Sequence, residues 1–220
     1  MSLPVSIIHA NAKWRLTLLL VVTLFNISVV SAGMIDKEGM ANWEICGMCH
    51  GANGISAMAK FPKLAGQKEA YIKQQFEHFR SGERTNDGGQ MSGITAEVKP
   101  SEVAEIAAYF ASLPPPKVDA LETKYLIANN AELFRRGQRL FYEAGVGGGI
   151  ACANCHADKL SPAPWIDGQH RDYVQKQLED FSTGRRSKGN SEMAGIVADL
   201  NEDDMAAVSL YTSVTLLNRE

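Results

Sequence analysis

The 220-residue chain has little cysteine, little histidine and no excess of basic charge: four cysteines, five histidines, and 22 lysines and arginines against 25 aspartates and glutamates. Counted from residue 33 the balance is 20 against 25, a net charge of −5. Binding a polyanion needs a basic surface, so nucleic acid is not expected as a partner. Beyond residue 32 no run is apolar enough to cross a bilayer. No stretch of useful length alternates apolar and polar residues, so no sheet is expected and the chain reads as all-α.

The scarce cysteines are all used in one pattern, which occurs twice: Cys46-Gly-Met-Cys49-His50 and Cys152-Ala-Asn-Cys155-His156. Cys-x-x-Cys-His is the attachment signature of c-type haem. Two thiols form thioethers with the haem vinyl groups, and the adjoining histidine takes the iron. Zinc modules usually set their second cysteine pair within about 20 residues of the first, whereas these pairs lie 106 residues apart. A thioredoxin-like dithiol needs a βαβ setting. Structural disulfides are the remaining alternative in an exported chain. The expected cofactors are therefore two covalently bound c-type haems, held by Cys46, Cys49, Cys152 and Cys155 with His50 and His156 on the iron. Of the other histidines, His78 and His170 read as surface helix residues.

Residues 1–32 read as an export signal. Lys13 and Arg15 precede an apolar run from Leu16 to Val30, and Val30-Ser31-Ala32 offers small residues for cleavage before Gly33. The run is short for a membrane-spanning helix, which favours cleavage over a retained anchor. The expected location is the periplasm.

The remainder repeats itself. With an offset of 102, Pro62–Ser112 overlays Pro164–Val214 with 15 identities in 51 positions. The shared residues include Pro62/Pro164, Gln67/Gln169, Tyr71/Tyr173, Gln75/Gln177, Gly82/Gly184, Arg84/Arg186, Met91/Met193 and Tyr109/Tyr211. Leu113-Pro114-Pro115-Pro116 between the copies cannot continue a helix. The expected organisation is a first domain at 33–113, a linker at 114–128 and a second domain at 129–220. Helices are expected at 35–45, 68–81, from about Pro100, at 130–143, at 170–183, and from an N-cap at Asn201 with Asp204 completing a capping box.

Electron carriers fill the sixth iron position with methionine, which raises the potential. From residue 129 onward there are only two methionines, Met193 and Met205. Met205 falls inside the last helix as a core residue, whereas Met193 falls in a loop and pairs with Met91. Met91 and Met193 are the expected axial ligands. The carbonyls at Pro62 and Pro164 offer acceptors for the ligating histidines. Arg84 and Arg186 read as propionate ligands or surface arginines, Tyr71 and Tyr173 as haem-edge or core residues, and Trp43 and Trp165 as core residues or haem covers.

The run Cys-x-x-Cys-His, Pro-Lys-Leu-Ala-Gly-Gln-(x)3-Tyr, Phe-(x)2-Gly-x-Arg, Met-Ser-Gly-Ile and Ala-Ala-Tyr-Phe closely resembles the di-haem cytochrome c4 family across the chain beyond the leader. The resemblance implies two tandem class I cytochrome c-like domains, each around one covalent haem. It implies His–Met ligation by His50, Met91, His156 and Met193, and electron delivery from respiratory-chain donors towards a terminal oxidase or other acceptor. Implied partners are a membrane oxidase or quinol-oxidising complex, and peripheral membrane association is compatible with this. The second copy departs where Asp167 stands for alanine and Ser191-Glu192 precede the methionine. The alternative function is the di-haem subunit of a periplasmic dehydrogenase, such as a sulfide-oxidising flavocytochrome c. A di-haem peroxidase would need a releasable iron ligand and a longer chain, so a carrier rather than an enzyme is expected.

Overall fold

The computed structural model describes residues 37–143, 149–186 and 191–219, and among these no strand occurs. The expected leader, residues 1–32, lies outside the described residues. The first half contains α1 (Glu44–His50), α2 (Glu69–Ser81), α3 (Gln90–Glu97) and α4 (Val103–Ser112), the last entered through one 3₁₀ turn at Pro100–Glu102. The second contains α5 (Ala120–Asn129), α6 (Ala131–Tyr142), α7 (Ala153–His156), α8 (Arg171–Ser182), α9 (Ser191–Val197) and α10 (Glu202–Val214).

Local chemistry sets these boundaries. Gly82 ends α2 in the left-handed conformation that glycine adopts without a Cβ penalty. The Asn201 side chain accepts from the Asp204 N–H, and Asp204 returns a bond to the Asn201 N–H, closing the expected capping box of α10. The expected linker contains α5, whose start is fixed by Asp119 accepting from the Leu121 and Glu122 N–H groups. The first leading helix is not formed over residues 37–43, which make turns; helix begins only at Glu44, where Trp43 stacks flat on Tyr109 with ring centroids 4.1 Å apart. Met91 and Met193, expected in loops, sit in the first turns of α3 and α9. The Asp87 carboxylate accepts from the Met91 and Ser92 N–H groups, so a side chain well before the methionine supplies the helix start.

Each half has its own core. In the first, Ile45, Phe76, Ile106 and Phe110 pack together, joining α1, α2 and α4. In the second, Val174, Phe181, Met205 and Val208 join α8 and α10, which confirms Met205 as a core residue. There α6 also crosses α10 so closely that a Cβ on Gly137 would lie 2.1 Å from the Ala207 carbonyl oxygen.

The described residues nevertheless form one compact unit, because the halves share a polar seam built from identical residues of the two copies. Arg84 donates to Gln75 of its own half at 2.7 Å and to Tyr173 Oη and Gln177 of the other, both at 3.0 Å. Arg186 mirrors it, donating to Gln177 at 2.7 Å, Tyr71 Oη at 3.0 Å and Gln75 at 3.1 Å. Both arginines are only 7% exposed. The surface reading of Arg84 and Arg186 therefore fails, and Tyr71 and Tyr173 each accept a bond from the arginine of the opposite half. Buried guanidinium needs several acceptors, and only the opposite copy completes the set. His170 is corrected likewise: it precedes α8, and its Nε2 donates to Ser56 O of the first half at 3.0 Å. At the equivalent position Lys68 donates to Asp158 O and Ser161 O of the second half, both at 2.7 Å.

The seam includes a buried carboxylate. Asp180 is 1% exposed and accepts from Asn86 of the first half and from Lys176 and Arg185 of its own. Burial pushes its pKa up, but the bonds from Lys176, Asn86 and Arg185 outweigh it and hold the carboxyl below its ordinary value. A depressed native pKa gives stability that is complete above the ordinary carboxylate range and is lost as pH falls through the native value. Asp180→Asn is expected to lower stability at neutral pH and to flatten its loss below about pH 4, where the unfolded carboxylate titrates. Urea midpoints measured from neutral pH into the acid range check this, and an unchanged acid slope would remove Asp180 from the account.

Candidate haem sites

α1 carries the whole first motif. Cys46 and Cys49 lie three residues apart and so share a helix face, and His50 ends the helix. In the second motif Cys152 is the N-cap of α7, and Cys155 and His156 lie within it. None of the four cysteines is in a disulfide. Burial pushes the Cys46 thiol up to about 12 and the Cys152 thiol up to about 11.

Both histidines are buried, at 4% and 5% exposure. Burial lowers the pKa of each, more than its bond to a proline carbonyl raises it, and keeps the rings neutral. His50 Nδ1 lies 2.8 Å from Pro62 O, and His156 Nδ1 lies 2.7 Å from Pro164 O. A carbonyl only accepts, so Nδ1 carries the proton and Nε2 keeps its lone pair. That is the tautomer an iron ligand needs, with the second ring nitrogen anchored as metal-bound histidines require. The expected role of the two prolines is thus met by their own carbonyls.

In the second half a cavity opens between the motif and α9, lined by Cys152, Leu140, Ile150, Ile196, Leu200 and Val208. The lining is mostly apolar, with a thiol on one wall and the helix of Met193 on another; Glu192 and Asp199 also line it. The donor set and this lining fit a haem held through Cys152 and Cys155. Two cations lie over the Trp165 ring, Lys68 Nζ at 4.3 Å and the Arg219 guanidinium at 5.3 Å from its centroid. Asp167, the departure in the second copy, accepts from Arg219 at 2.7 Å and from the Leu217 N–H at 3.0 Å. Arg219 in turn donates to Gly66 O of the first half. The substitution thus ties down the C-terminal tail.

Sequence reasoning missed Gln67 and Gln169 as functional residues. Each is buried and bonds twice to the backbone beside the opposite half's proline. Their identity in the two copies was the available signal.

Paired thiols beside a buried, carbonyl-anchored histidine, present twice in an all-helical unit, define a di-haem c-type cytochrome. Comparisons with known proteins agree. The Cytochrome c family model matches residues 37–114. Cytochrome c4 of Pseudomonas aeruginosa is 35% identical over 206 residues, covering 90% of this chain and 96% of that protein. The crystal structure of reduced recombinant cytochrome c4 from Pseudomonas stutzeri superposes with a TM-score of 0.64 at 31% identity, covering 81% of this chain and 98% of that one. A thiosulfate dehydrogenase electron acceptor of Thiomonas intermedia is 29% identical over 174 residues, covering 73% of this chain and 76% of that protein. The chain belongs to the cytochrome c4 family: it carries two covalently bound c-type haems and transfers electrons without substrate chemistry of its own.

Proposed function

We propose that this chain is a periplasmic carrier that passes electrons from respiratory-chain donors to a terminal oxidase or another acceptor. Its two cytochrome domains are residues 33–113 and 129–220. Cys46 and Cys49 hold the first haem and Cys152 and Cys155 the second; His50 with Met91 and His156 with Met193 bind the irons. When bound, each haem supplies a one-electron couple. The carrying observation is the pair of neutral histidines, each fixed by Nδ1 on a proline carbonyl with Nε2 left to coordinate. The protein's own work is to hold those rings still, to keep water from the sites by burial, and to join the halves so that one electron can enter each.

A second reading, the electron-accepting subunit of a periplasmic dehydrogenase, is supported by the relative named a thiosulfate dehydrogenase electron acceptor. Oxidation of the reduced protein by oxidase-containing membranes, with no reduction by thiosulfate dehydrogenase, supports the first reading; the opposite pattern supports the second. The intact mass of the exported protein is expected to exceed its polypeptide by two haems. Cys152→Ser with Cys155→Ser should remove one of them, and a mass unchanged by that double variant would overturn the assignment of the second site.

A further inference from the structure

We infer that Gln169 and Gln67 are positioning residues acting in trans: each tunes the iron-binding histidine of the opposite half through a single peptide group. The inference rests on His50 and His156 as iron ligands. The peptide joining Pro62 to Lys63 is engaged at both ends. Its carbonyl oxygen accepts from His50 Nδ1 at 2.8 Å, and its N–H donates to Gln169 Oε1 at 2.9 Å. The peptide joining Pro164 to Trp165 repeats this, with its oxygen 2.7 Å from His156 Nδ1 and its N–H donating to Gln67 Oε1 at 3.0 Å. The same glutamines also donate through Nε2, Gln169 to Lys63 O at 3.0 Å and Gln67 to Trp165 O at 2.9 Å. Two bonds from one side-chain amide thus bracket the residue that follows each proline.

Each amide is itself held in place. Gln67 Oε1 also accepts from the Lys68 N–H, and Gln169 Oε1 from the His170 N–H. Gly66 and Gly168, just before the glutamines, are fixed to their own last helices by N–H bonds to Phe110 O and Thr212 O. Both glycines have φ near +65°, and a Cβ on Gly66 would meet the Pro115 backbone at 3.0 Å. The glutamine side chains therefore cross the seam from rigid turns.

An amide that donates through its N–H becomes a better acceptor at its oxygen, because bonds in a chain polarise one another. The stronger that acceptor, the more electron density the ring carries at Nε2, and the more the oxidised iron is favoured. Each half thus depresses the potential of the other's iron. Electrons do not move through this chain of bonds; it sets ligand strength and ring orientation.

The test uses the intact di-haem protein, with exchange of each histidine Nδ1–H followed by NMR and each haem titrated separately. Gln169→Ala is expected to speed exchange at His50, because the carbonyl that holds its Nδ1 proton loses the bond that polarises it from the other end of the peptide. It should raise the first haem's potential and leave His156 and the second haem unchanged. Gln67→Ala should do the reverse. If alanine prevents folding, Gln169→Asn and Gln67→Asn retract the amide by one methylene and serve the same comparison. Equal changes at both haems, or changes confined to the half carrying the substitution, overturn the trans assignment and reduce the glutamines to interface packing. In the oxidised wild type, a His50 or His156 ring without paramagnetic shifts would instead overturn the ligand reading beneath it.

Discussion

Met193→Ala is expected to lower the potential of the second haem by on the order of 0.2 V, a fraction of the roughly 0.8 V span that axial ligation covers. The first haem should keep its potential. Among the described residues of the second half the choice of methionine is narrow. Met205 is 5% exposed and buried in the α8–α10 core, so its sulfur serves packing. Met193 lies on α9 at the edge of that core, and its neighbours Glu192, Gly195 and Ile196 line the cavity that also holds Cys152. Thioether ligation favours ferrous iron and gives the oxidised haem a weak band at the red edge of its spectrum. Met193→Ala should abolish the second haem's share of that band and open its iron to carbon monoxide. Met91→Ala should do the same at the first haem, whereas Met58→Ala, at a residue 47% exposed, should alter neither. If Met58→Ala and not Met91→Ala disturbs the first haem, the pairing of the two copies is misaligned.

The largest effect on stability is expected from Gly137→Ala. An added Cβ would lie 2.1 Å from Ala207 O, 2.6 Å from Ala207 C and 2.7 Å from Tyr211 Cβ. Two of these atoms belong to the backbone of α10, so no side-chain rotation relieves the clash. Separating α6 from α10 would also loosen Phe141 and Phe134, whose rings lie 5.4 Å and 5.3 Å from that of Tyr211. Overpacking usually costs about 1–3 kcal/mol; a contact with immovable backbone places this variant at about 3 kcal/mol or above. At about 2–4 °C per kcal/mol for a chain of this size, the melting temperature should fall by roughly 10 °C. Differential scanning calorimetry of the holoprotein measures it, and a shift of under about 2 °C would mean that the helices can part freely.

Both predictions draw on features that the sequence exposed unequally. The repeat was legible from identity at a fixed offset, and the haem motifs and the helices at 69–81 and 202–214 because each depends on neighbours within a few residues: an i, i+3 cysteine pair, a terminal glycine, an Asn201–Asp204 box. The bonds from His50 and His156 to the prolines were also within reach, since they lie within one loop. Arg84, Tyr71 and Gln67 were visible only as residues identical in both copies. Identity does not say whether a residue bonds within its own half or across to the other, and these reach across. His170 failed for a related reason: its local pattern is that of an ordinary helix start, and its acceptor, Ser56 O, lies 114 positions away. The helical placement of Met91 and Met193 escaped notice because α3 and α9 are too short to show a period.

The seam of Tyr71, Gln75 and Arg84 against Tyr173, Gln177 and Arg186 also bears on ancestry. Each residue touches the counterpart of what its own counterpart touches, the self-complementary pattern of an isologous contact between identical subunits. A single-haem ancestor with these three residues could have paired with itself through the same face before the gene doubled. Fusion then freed the two faces to diverge. Lys68 and His170 now occupy one position of the old symmetry with different chemistry, a distinction that no homodimer can encode.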